Sequence, residues 1–175
     1  MEQISFMSKT IDDFRDFFKI DKEIKSFPVI SKINEVISLL KPQFASSDIQ
    51  ITLEQDCDCS VSGYPNEFMQ VILNILNNAK DAIIQTKKEG GLIKITTRCR
   101  TNACVTTIED NGGGIEKQVI EKIFDPYFTT KAPDKGTGIG LYMAKTIIEK
   151  HMEGTINVTN TENGALFTIM LPRTK

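Results

Sequence analysis

The chain alternates between stretches with helical spacing of hydrophobic residues and stretches with strand-like alternation, which predicts a mixed domain. Helices are predicted over 31 to about 40, over 65 to about 87, and over about 139 to 150. Ser31 suits the cap of the first helix, and Pro65 suits the first turn of the second because its missing N–H has no helical partner there.

Short apolar or alternating runs between these helices predict strands. The predicted strands cover 27–30, 48–54, 60–62, 92–100, 104–109, 155–159 and 165–171. We expect 60–62 to form a hairpin with 48–54, and the last two strands to form a hairpin over Asn163-Gly164. Because strands and helices do not alternate strictly, the pattern predicts an α+β fold, a two-layer α/β sandwich with a mixed, mostly antiparallel sheet.

The first 25 residues have a different pattern. Their large apolar residues are spaced 3, 4, 3 and 4 apart, at Ile4, Met7, Ile11, Phe14 and Phe18. This spacing is typical of a helix that pairs along a narrow seam, although a surface helix packed on its own domain remains an alternative. We therefore divide the chain into 1–25, a helix and linker, and 26–175, the mixed domain.

Composition narrows the class of protein. The chain has 175 residues, 40% hydrophobic and 25% charged, which are ordinary values for one globular domain with a short appendage. A formal net charge of -2 argues against nucleic acid as a partner. No apolar run approaches the roughly 18 residues of a membrane span, and no signal peptide is evident, so we expect a cytoplasmic domain. Membrane anchoring of a longer protein stays open.

The four cysteines are Cys57, Cys59, Cys99 and Cys104. Their C-x-C and C-x4-C spacings include no C-x2-C pair and no nearby pair of histidines, which disfavours a structural zinc site. The alternation of Cys57 and Cys59 with aspartates suggests a short strand. We predict four free thiols, as expected in a reducing compartment.

The long predicted helix carries polar groups on an apolar background. Asn74 and Asn78 are four residues apart and share one face, and Asp81 follows about a turn later. Asparagine is unfavourable inside a helix because its amide competes for backbone groups, so two on one face suggest a use. An amide oxygen can complete a magnesium shell. The alternative is that both amides are simply solvated.

Two glycine-rich stretches follow. In the first, 109–115, Asp110 stands at a strand end where it can accept a hydrogen bond from an exocyclic amine. The second, 135–141, precedes a helix, and freed amides at a helix N-terminus suit phosphate. Between them, Phe124 and its aromatic neighbours can anchor a lid from which Lys131 reaches phosphates; the alternative for Lys131 is an ordinary solvated lysine.

The order and spacing of these motifs are more specific than any one of them. Residues 27–172 resemble the catalytic ATP-binding domain of sensor histidine kinases, in the superfamily shared with DNA gyrase. Residues 74–81 resemble its N box, 110–114 its G1 box, 124–128 its F box, 136–140 its G2 box and 164–172 its closing strand. The N-terminal segment resembles the end of the second helix of the family's dimerisation and phosphoacceptor hairpin. The first helix of that hairpin is missing, so we expect a fragment of a longer protein.

The resemblance implies ATP and Mg²⁺ as cofactors and a histidine kinase activity, with Asn74 and Asn78 as catalytic residues and Asn78 as the metal ligand. It implies a histidine-bearing dimerisation helix and a response regulator as partners, and a homodimer in the full-length protein. The nucleotide-binding residues that it implies are Asn78, Asp81, Asp110, Gly112, Gly114, Ile115, Phe124, Lys131, Gly136, Thr137, Gly138, Ile139, Gly140, Leu141 and Thr168.

Three positions refine this picture. Gyrase-like relatives place a glutamate where this chain has Asn74, and an amide cannot act as a carboxylate base, so we expect phosphate transfer and little ATP hydrolysis. Asp81 stands where many members carry a basic residue, and Ala165 where Thr or Ser is frequent.

Two alternatives within the fold are an anti-sigma-type serine kinase and a regulatory nucleotide-binding module without catalysis. His151, the only histidine, is expected to be structural at a helix end.

Overall fold

The computed structural model describes residues 23–86, 90–131 and 136–174. In chain order the elements are β1 (Lys25–Pro28), α1 (Val29–Ser46), β2 (Ile49–Gln55), β3 (Ser60–Gly63), α2 (Pro65–Thr86), β4 (Gly91–Cys99), β5 (Ala103–Asp110), α3 (Gly140–Thr146), β6 (Thr155–Asn160) and β7 (Ala165–Pro172). The predicted seam helix lies outside the described residues; of the segment 1–25 the structure describes only the end of the linker, residues 23–25, and β1 begins at Lys25.

The main sheet of the described chain has five strands in the order β2-β4-β5-β7-β6. β2 and β4 are parallel, whereas every other neighbouring pair is antiparallel, so the predicted mixed and mostly antiparallel sheet is confirmed. One pairing was predicted wrongly, because β3 pairs with β1 and not with β2. Phe27 and Val61 face each other across this small sheet and are both buried, so it covers one end of the core.

α1 begins two residues before the predicted start and ends six residues beyond the predicted end. Its buried face continues past Leu40 to Phe44, although Pro42 lies inside the helix. A proline inside a helix costs about 3 kcal/mol, and burying a phenylalanine contributes about 1.5–3 kcal/mol, which offsets much of that cost. The apolar stripe therefore decides where the helix ends, and the proline does not.

The core lies between the helices and one face of the main sheet. The apolar residues at helical spacing on α2 form one buried stripe, at Phe68, Ile72, Ile75, Ala79 and Ile83. It packs against alternate residues of the central strands, among them Ile93, Ile95, Ile108, Phe167 and Ile169. α2 therefore lies across the sheet with its polar positions toward the side where β5 ends.

α3 is shorter than the predicted helix and continues as a wider π-type turn, Ile147–His151. His151 Nδ1 lies 2.6 Å from Glu67 Oε2, and the His151 ring meets Tyr64 edge to face. These contacts tie the end of this helical segment to the first turn of α2. Within the described ranges, no helix combines the length and apolarity needed to cross a bilayer.

The prediction of four free thiols was wrong. Cys57 and Cys99 are paired as a disulfide, while Cys59 and Cys104 are free and buried. The cysteines at 57 and 59 lie in the loop between β2 and β3 and not on a strand. The Asp56 N–H donates to the Thr97 carbonyl at 3.1 Å, which brings this loop against the end of β4. Burial raises the pKa of the Cys104 thiol, and its hydrogen bond with Cys59 raises it further.

Candidate functional site

Two adjoining cavities open between α2, the end of β5, the start of β7 and the segment that leads into α3. The first has a volume of about 390 Å³ and contains Asp110, and the second, of about 440 Å³, contains the glycines that precede α3. The two cavities share part of their lining, at Asn78, Asp81, Ile123, Phe128, Thr129, Lys131 and Leu141. A single elongated ligand can therefore occupy both.

Asp110 is the buried acid of the first cavity, with 6% of its surface exposed. Its Oδ1 accepts hydrogen bonds from the Gly112 N–H at 2.8 Å and from the Ala165 N–H at 3.4 Å. Burial raises the pKa of Asp110 above its ordinary value, and the bonds from Gly112 and Ala165 oppose that rise. With Oδ1 bound to the backbone, Oδ2 remains to accept a hydrogen bond from a ligand donor.

Glycines on both sides of Asp110 let the backbone close around it. A Cβ on Gly112 would lie 2.8 Å from Ala82 Cβ, and one on Gly164 would lie 1.8 Å from the Asp110 carbonyl oxygen. Neither position has room for a side chain. The G1 turn is thus pressed against α2 on one side and against the start of β7 on the other.

The segment after the G1 turn is held by Asn160, at the end of β6. Asn160 Oδ1 accepts from the Ile115 N–H at 2.8 Å, and Asn160 Nδ2 donates to the Ile115 carbonyl at 2.7 Å. Gly114 has a φ of 83°, in the left-handed region that favours glycine, and lies against the same asparagine. Asn160 was missed from the sequence, because its role depends on pairing with a residue 45 positions away.

Lys131 stands at the junction of the cavities. Its Nζ lies 2.9 Å from Asn78 Oδ1 and 2.6 Å from Asp81 Oδ2. An amide oxygen and a carboxylate oxygen from adjacent turns of α2 therefore converge on one cation. Hard oxygen ligands of this kind are what Mg²⁺ prefers, so the residues present fit a magnesium ion.

The G2 glycines line the second cavity together with Thr137 and Leu141. Gly138 has a φ of 68°, and a Cβ there would lie 2.4 Å from the Tyr127 carbonyl carbon. The segment before α3 therefore packs on the turn that ends the F box. Such a close approach places backbone amides near the start of α3, where anions are stabilised.

Asn74 also lines the second cavity, but its amide is already engaged. Asn74 Nδ2 donates to the Gly140 carbonyl at 3.1 Å, across 66 residues of sequence. This bond ties α2 to the first residue of α3. It places an amide, which has no basic group, at the position facing the G2 glycines.

Most of the residues predicted for the site line one of the two cavities. Four do not: Gly112, Phe124, Ile139 and Thr168. Gly112 acts through its backbone, and Phe124 packs edge to face on Phe167 beneath the cavity. Thr168 belongs to the opposite face of β7, because alternate residues such as Phe167 and Ile169 face the helices, so the structure does not bring it to the site.

Several lining residues were missed from the sequence. On α2 they are Asn77, Ala79, Ala82 and Gln85; beyond it they are Glu116, Val119, Ile123, Thr129, Thr130 and Phe167. The α2 positions carry a usable signal, since 78, 81, 82 and 85 recur at helical spacing on the face that holds Asn78. The residues at 116–130 carry none, because they lie on successive turns without regular periodicity.

The arrangement defines a class of ligand. A deep pocket with one buried acceptor suits a flat base that carries an amine, and the adjoining glycine-lined cavity with convergent oxygens suits phosphates and a cation. This is a nucleotide-binding site in an α/β sandwich.

Comparison with known proteins defines the family. Residues 63–175 match the family of histidine kinase-, DNA gyrase B- and HSP90-like ATPases, and the chain belongs to it. The solved catalytic domain of histidine kinase ThkA, in a nucleotide-free form, superimposes with a TM-score of 0.78 at 33% identity over 87% of this chain and 99% of that one. A second ThkA structure, in complex with response regulator protein TrrA, gives a TM-score of 0.72 at 27% identity, covering 99% of this chain and 49% of that one.

Curated relatives point to the same branch of the family. Two-component sensor PprA of Pseudomonas aeruginosa is 40% identical over 118 residues, 64% of this chain and 12% of that protein. Sensor histidine kinase ZraS of Klebsiella oxytoca is 36% identical over 146 residues, 80% of this chain and 30% of that protein. The chain thus spans between 12% and 30% of the length of these relatives.

Proposed function

We propose that this domain binds ATP with Mg²⁺ and transfers the γ-phosphoryl group to a histidine on a dimerisation helix, for relay to a response regulator. The observation that carries the proposal is the pair of adjoining cavities, one around the buried Asp110 and one beside the G2 glycines, with Asn78 at their junction. The family match supports ATP as the ligand.

The base end is formed by this chain's own backbone and side chains. Oδ2 of Asp110 accepts from the exocyclic amine of adenine, while Ala79, Ala82 and Phe167 provide apolar walls. A base that presents a carbonyl at that position would place an acceptor against the carboxylate. Asp110 therefore favours adenine over guanine.

The phosphate end is held by Asn78, Asp81 and the glycines before α3. Asn78 Oδ1 would hold the magnesium ion, with Asp81 near it, and Lys131 would move from these oxygens to the phosphates. When bound, the ion neutralises charge that builds up on the phosphate oxygens. Phosphoryl transfer requires mainly positioning and charge stabilisation, and these groups supply both.

Asn74 explains why transfer is favoured over hydrolysis. Water attack benefits from a general base, and the Asn74 amide has no basic group and is bound to the Gly140 carbonyl. A histidine imidazole carries its own lone pair and needs no such base. The chain's single histidine, His151, is held by Glu67 at a helix end and lines neither cavity, so another segment supplies the acceptor.

The solved complex of ThkA with its response regulator supports the relay step for this chain. Because the reaction consumes ATP, we place this domain in the cytoplasm. We also propose that it works within a homodimer, whose dimerisation helix presents the acceptor histidine.

A transfer assay tests the proposal. The chain is incubated with γ-labelled ATP, Mg²⁺ and a separately purified helical hairpin that bears a phosphoacceptor histidine. We expect label on the hairpin that is stable to alkali and labile to acid, and no label when Asn78 is replaced by alanine. Label on serine would support a serine kinase instead, whereas nucleotide binding without transfer would support a regulatory module. ATP turnover at the rate of gyrase, without the hairpin, would contradict the role given to Asn74.

A further inference from the structure

All four cysteines of the chain gather at the end of the main sheet opposite the nucleotide cavities. Cys104 lies near the start of β5 and Asp110 at its end, roughly 20 Å away for six residues of strand. Cys99 at the end of β4 is directly paired with Cys104 in the strand register, so the two side chains share a face. That face is the one covered by the helices.

The loop between β2 and β3 adds two more sulfurs. Cys59 Sγ lies 2.6 Å from Cys99 Sγ and 3.6 Å from Cys57 Sγ, and the three sulfurs all lie within 4.8 Å of one another. Cys104 is in hydrogen-bond contact with Cys59. Cys59 is fixed from the other side, since its carbonyl accepts from the Val29 N–H at 2.9 Å.

The disulfide between Cys57 and Cys99 does not account for this gathering. It uses two sulfurs, yet the Cys59 sulfur lies beside both of them and the Cys104 thiol contacts Cys59. A shared central ion explains why the sulfurs converge. In a tetrahedral zinc site each Zn–S bond is about 2.3 Å, which sets the sulfurs about 3.8 Å apart. The sulfurs of Cys57, Cys59 and Cys99 all lie within 4.8 Å of one another, so the reduced side chains need only small movements to reach that spacing.

Thr97 provides a second, independent observation. Within the described ranges, its Oγ1 is buried without a hydrogen-bond partner. Thr97 precedes Cys99 by two residues on β4, so its side chain is on the face that carries the cysteines. A hydroxyl here can donate to a metal-bound thiolate, the type of outer contact that orients metal ligands.

We propose that Cys57, Cys59, Cys99 and Cys104, when reduced, bind one thiophilic divalent cation, Zn²⁺, in a closed four-thiolate site. Four protein ligands leave no open position, so the ion is structural and not catalytic. It fastens the β2–β3 loop to the β4–β5 hairpin. The C-x-C spacing, shorter than usual, is accommodated because the loop folds back onto the strand ends.

A metal titration of the whole chain tests the site. The chain is reduced with a phosphine, freed of metal with a chelator, and titrated anaerobically with Co²⁺ and then Zn²⁺. We expect the visible absorption of tetrahedral Co²⁺ and the near-ultraviolet sulfur-to-cobalt charge-transfer band, both saturating at one ion per chain and both lost on addition of Zn²⁺. We also expect Zn²⁺ to raise the Tm, because an ion that binds only the folded chain stabilises it.

Variants assign the ligands. Cys59→Ser and Cys104→Ser are expected to lose most of the charge-transfer band and the Zn²⁺-dependent rise in Tm. Asp58→Asn is the matched control: Asp58 lies between Cys57 and Cys59, is exposed, and accepts from Gln55 Nε2 at 2.7 Å. It should leave both signals unchanged. Binding of an ATP analogue by every variant verifies folding and separates this test from that of the proposed function.

Three results would overturn the site. The reduced chain would show no tetrahedral Co²⁺ absorption, or Cys59→Ser and Cys104→Ser would keep it, or Asp58→Asn would abolish it. The first result, combined with loss of two thiols on exposure to glutathione disulfide, would establish a simple disulfide in place of the metal site.

Discussion

The two halves of the nucleotide site differ in what holds their polar groups. Asp110 is buried and fixed by two backbone N–H groups, and it lies between glycines that pack against α2 and β7. At the other end, Asn78 and Asp81 are held by a lysine side chain, and the Lys131–Asp81 pair is partly exposed, at 25% and 38% of the two side chains. The pocket around Asp110 is therefore built into the fold, whereas the position that we propose for the cation is filled by the Lys131 ammonium, which would have to leave.

Because of this difference, substitutions in the two halves of the site should affect folding stability and ligand binding differently. Changes near Asp110 are expected to alter both the folding free energy and nucleotide affinity, because the backbone itself forms the pocket. Changes near Lys131 should alter metal and phosphate binding while the fold is retained. Each prediction below tests that division.

Asp110→Asn should produce the largest loss of affinity. The asparagine Oδ1 can still accept from Gly112 and Ala165, which turns its Nδ2 toward the adenine amine, so two donors meet in a buried pocket. A buried unsatisfied donor costs about 1–3 kcal/mol, so we expect roughly 10–100-fold weaker binding of an ATP analogue in a fluorescence titration. Glu109→Gln, the neighbouring carboxylate on the other face of β5, should bind normally.

The same variant should be at least as stable as the parent without nucleotide. Burial raises the pKa of Asp110 in the folded chain, so between its ordinary and raised values the folded chain holds a proton that the unfolded chain has released. Stability contributed by this group is thus present at low pH and lost as the pH rises through the folded-state value. At neutral pH the buried charge destabilises the fold, and Asn removes it. Urea midpoints lower than the parent's at pH 7 would contradict this account.

Gly164→Ala and Gly138→Ala compare the two halves directly. A Cβ on Gly164 would meet the backbone of Asp110, so we expect a loss of about 1–3 kcal/mol in the free energy of unfolding. A Cβ on Gly138 meets the backbone of Tyr127 in a loop segment, so we expect a smaller loss of stability but weaker binding of ATP than of adenosine. Urea unfolding and calorimetric titration on both variants would reveal equal stability losses if the division were wrong.

Asn78→Ala should weaken the Mg²⁺-dependent binding of ATP and leave the base pocket unaffected. Even outer contacts of metal sites change affinity by about 10–100-fold, so loss of a direct ligand should raise the Mg²⁺ concentration needed for ATP binding at least about tenfold. Binding of adenosine, with or without Mg²⁺, should not change. The control is Asn34→Ala, an exposed amide on α1. An equal loss of adenosine affinity would assign Asn78 to the base pocket instead.

Lys131→Met should have the smallest effect. Partly exposed ion pairs contribute about 0.2–1 kcal/mol, so unfolding should change by no more than that amount. Removing the ammonium frees Asn78 and Asp81 for the cation but also removes a phosphate contact, and the two effects oppose each other. We expect a change of less than about fivefold in ATP affinity, with Lys122→Met as the matched exposed lysine. A hundredfold change in ATP affinity would contradict this expectation and would show that Lys131 makes a dominant contact with the nucleotide.

The sequence predicted what depends on periodicity and local motif chemistry. The α2 stripe from Phe68 to Ile83 and the antiparallel pairs of the sheet follow from spacing, and so does the shared face of Asn74 and Asn78. Asp110 and the G2 glycines could be placed because strand ends and helix starts impose clear demands on residue type.

Features that depend on distant partners could not be predicted. The pairing of β3 with β1, the support of Ile115 by Asn160 and the gathering of the cysteines each join segments without a local signal. Thr168 was placed in the site from motif resemblance, yet the alternation of β7 sends it to the far face. Resemblance to a motif indicates which segment lies near the site. Only the alternation of side chains along the strand shows which residues of that segment face the site.

The position of Lys131 also has a consequence for the kinetics of nucleotide binding. A lysine side chain that is only partly buried exchanges rotamers in picoseconds to nanoseconds, far faster than nucleotide diffuses to the site. The need to displace this lysine from Asn78 and Asp81 therefore lowers the apparent affinity for the cation without adding a slow step. We expect stopped-flow traces of Mg²⁺–ATP binding to show one phase whose rate rises linearly with concentration, as if the site were already open.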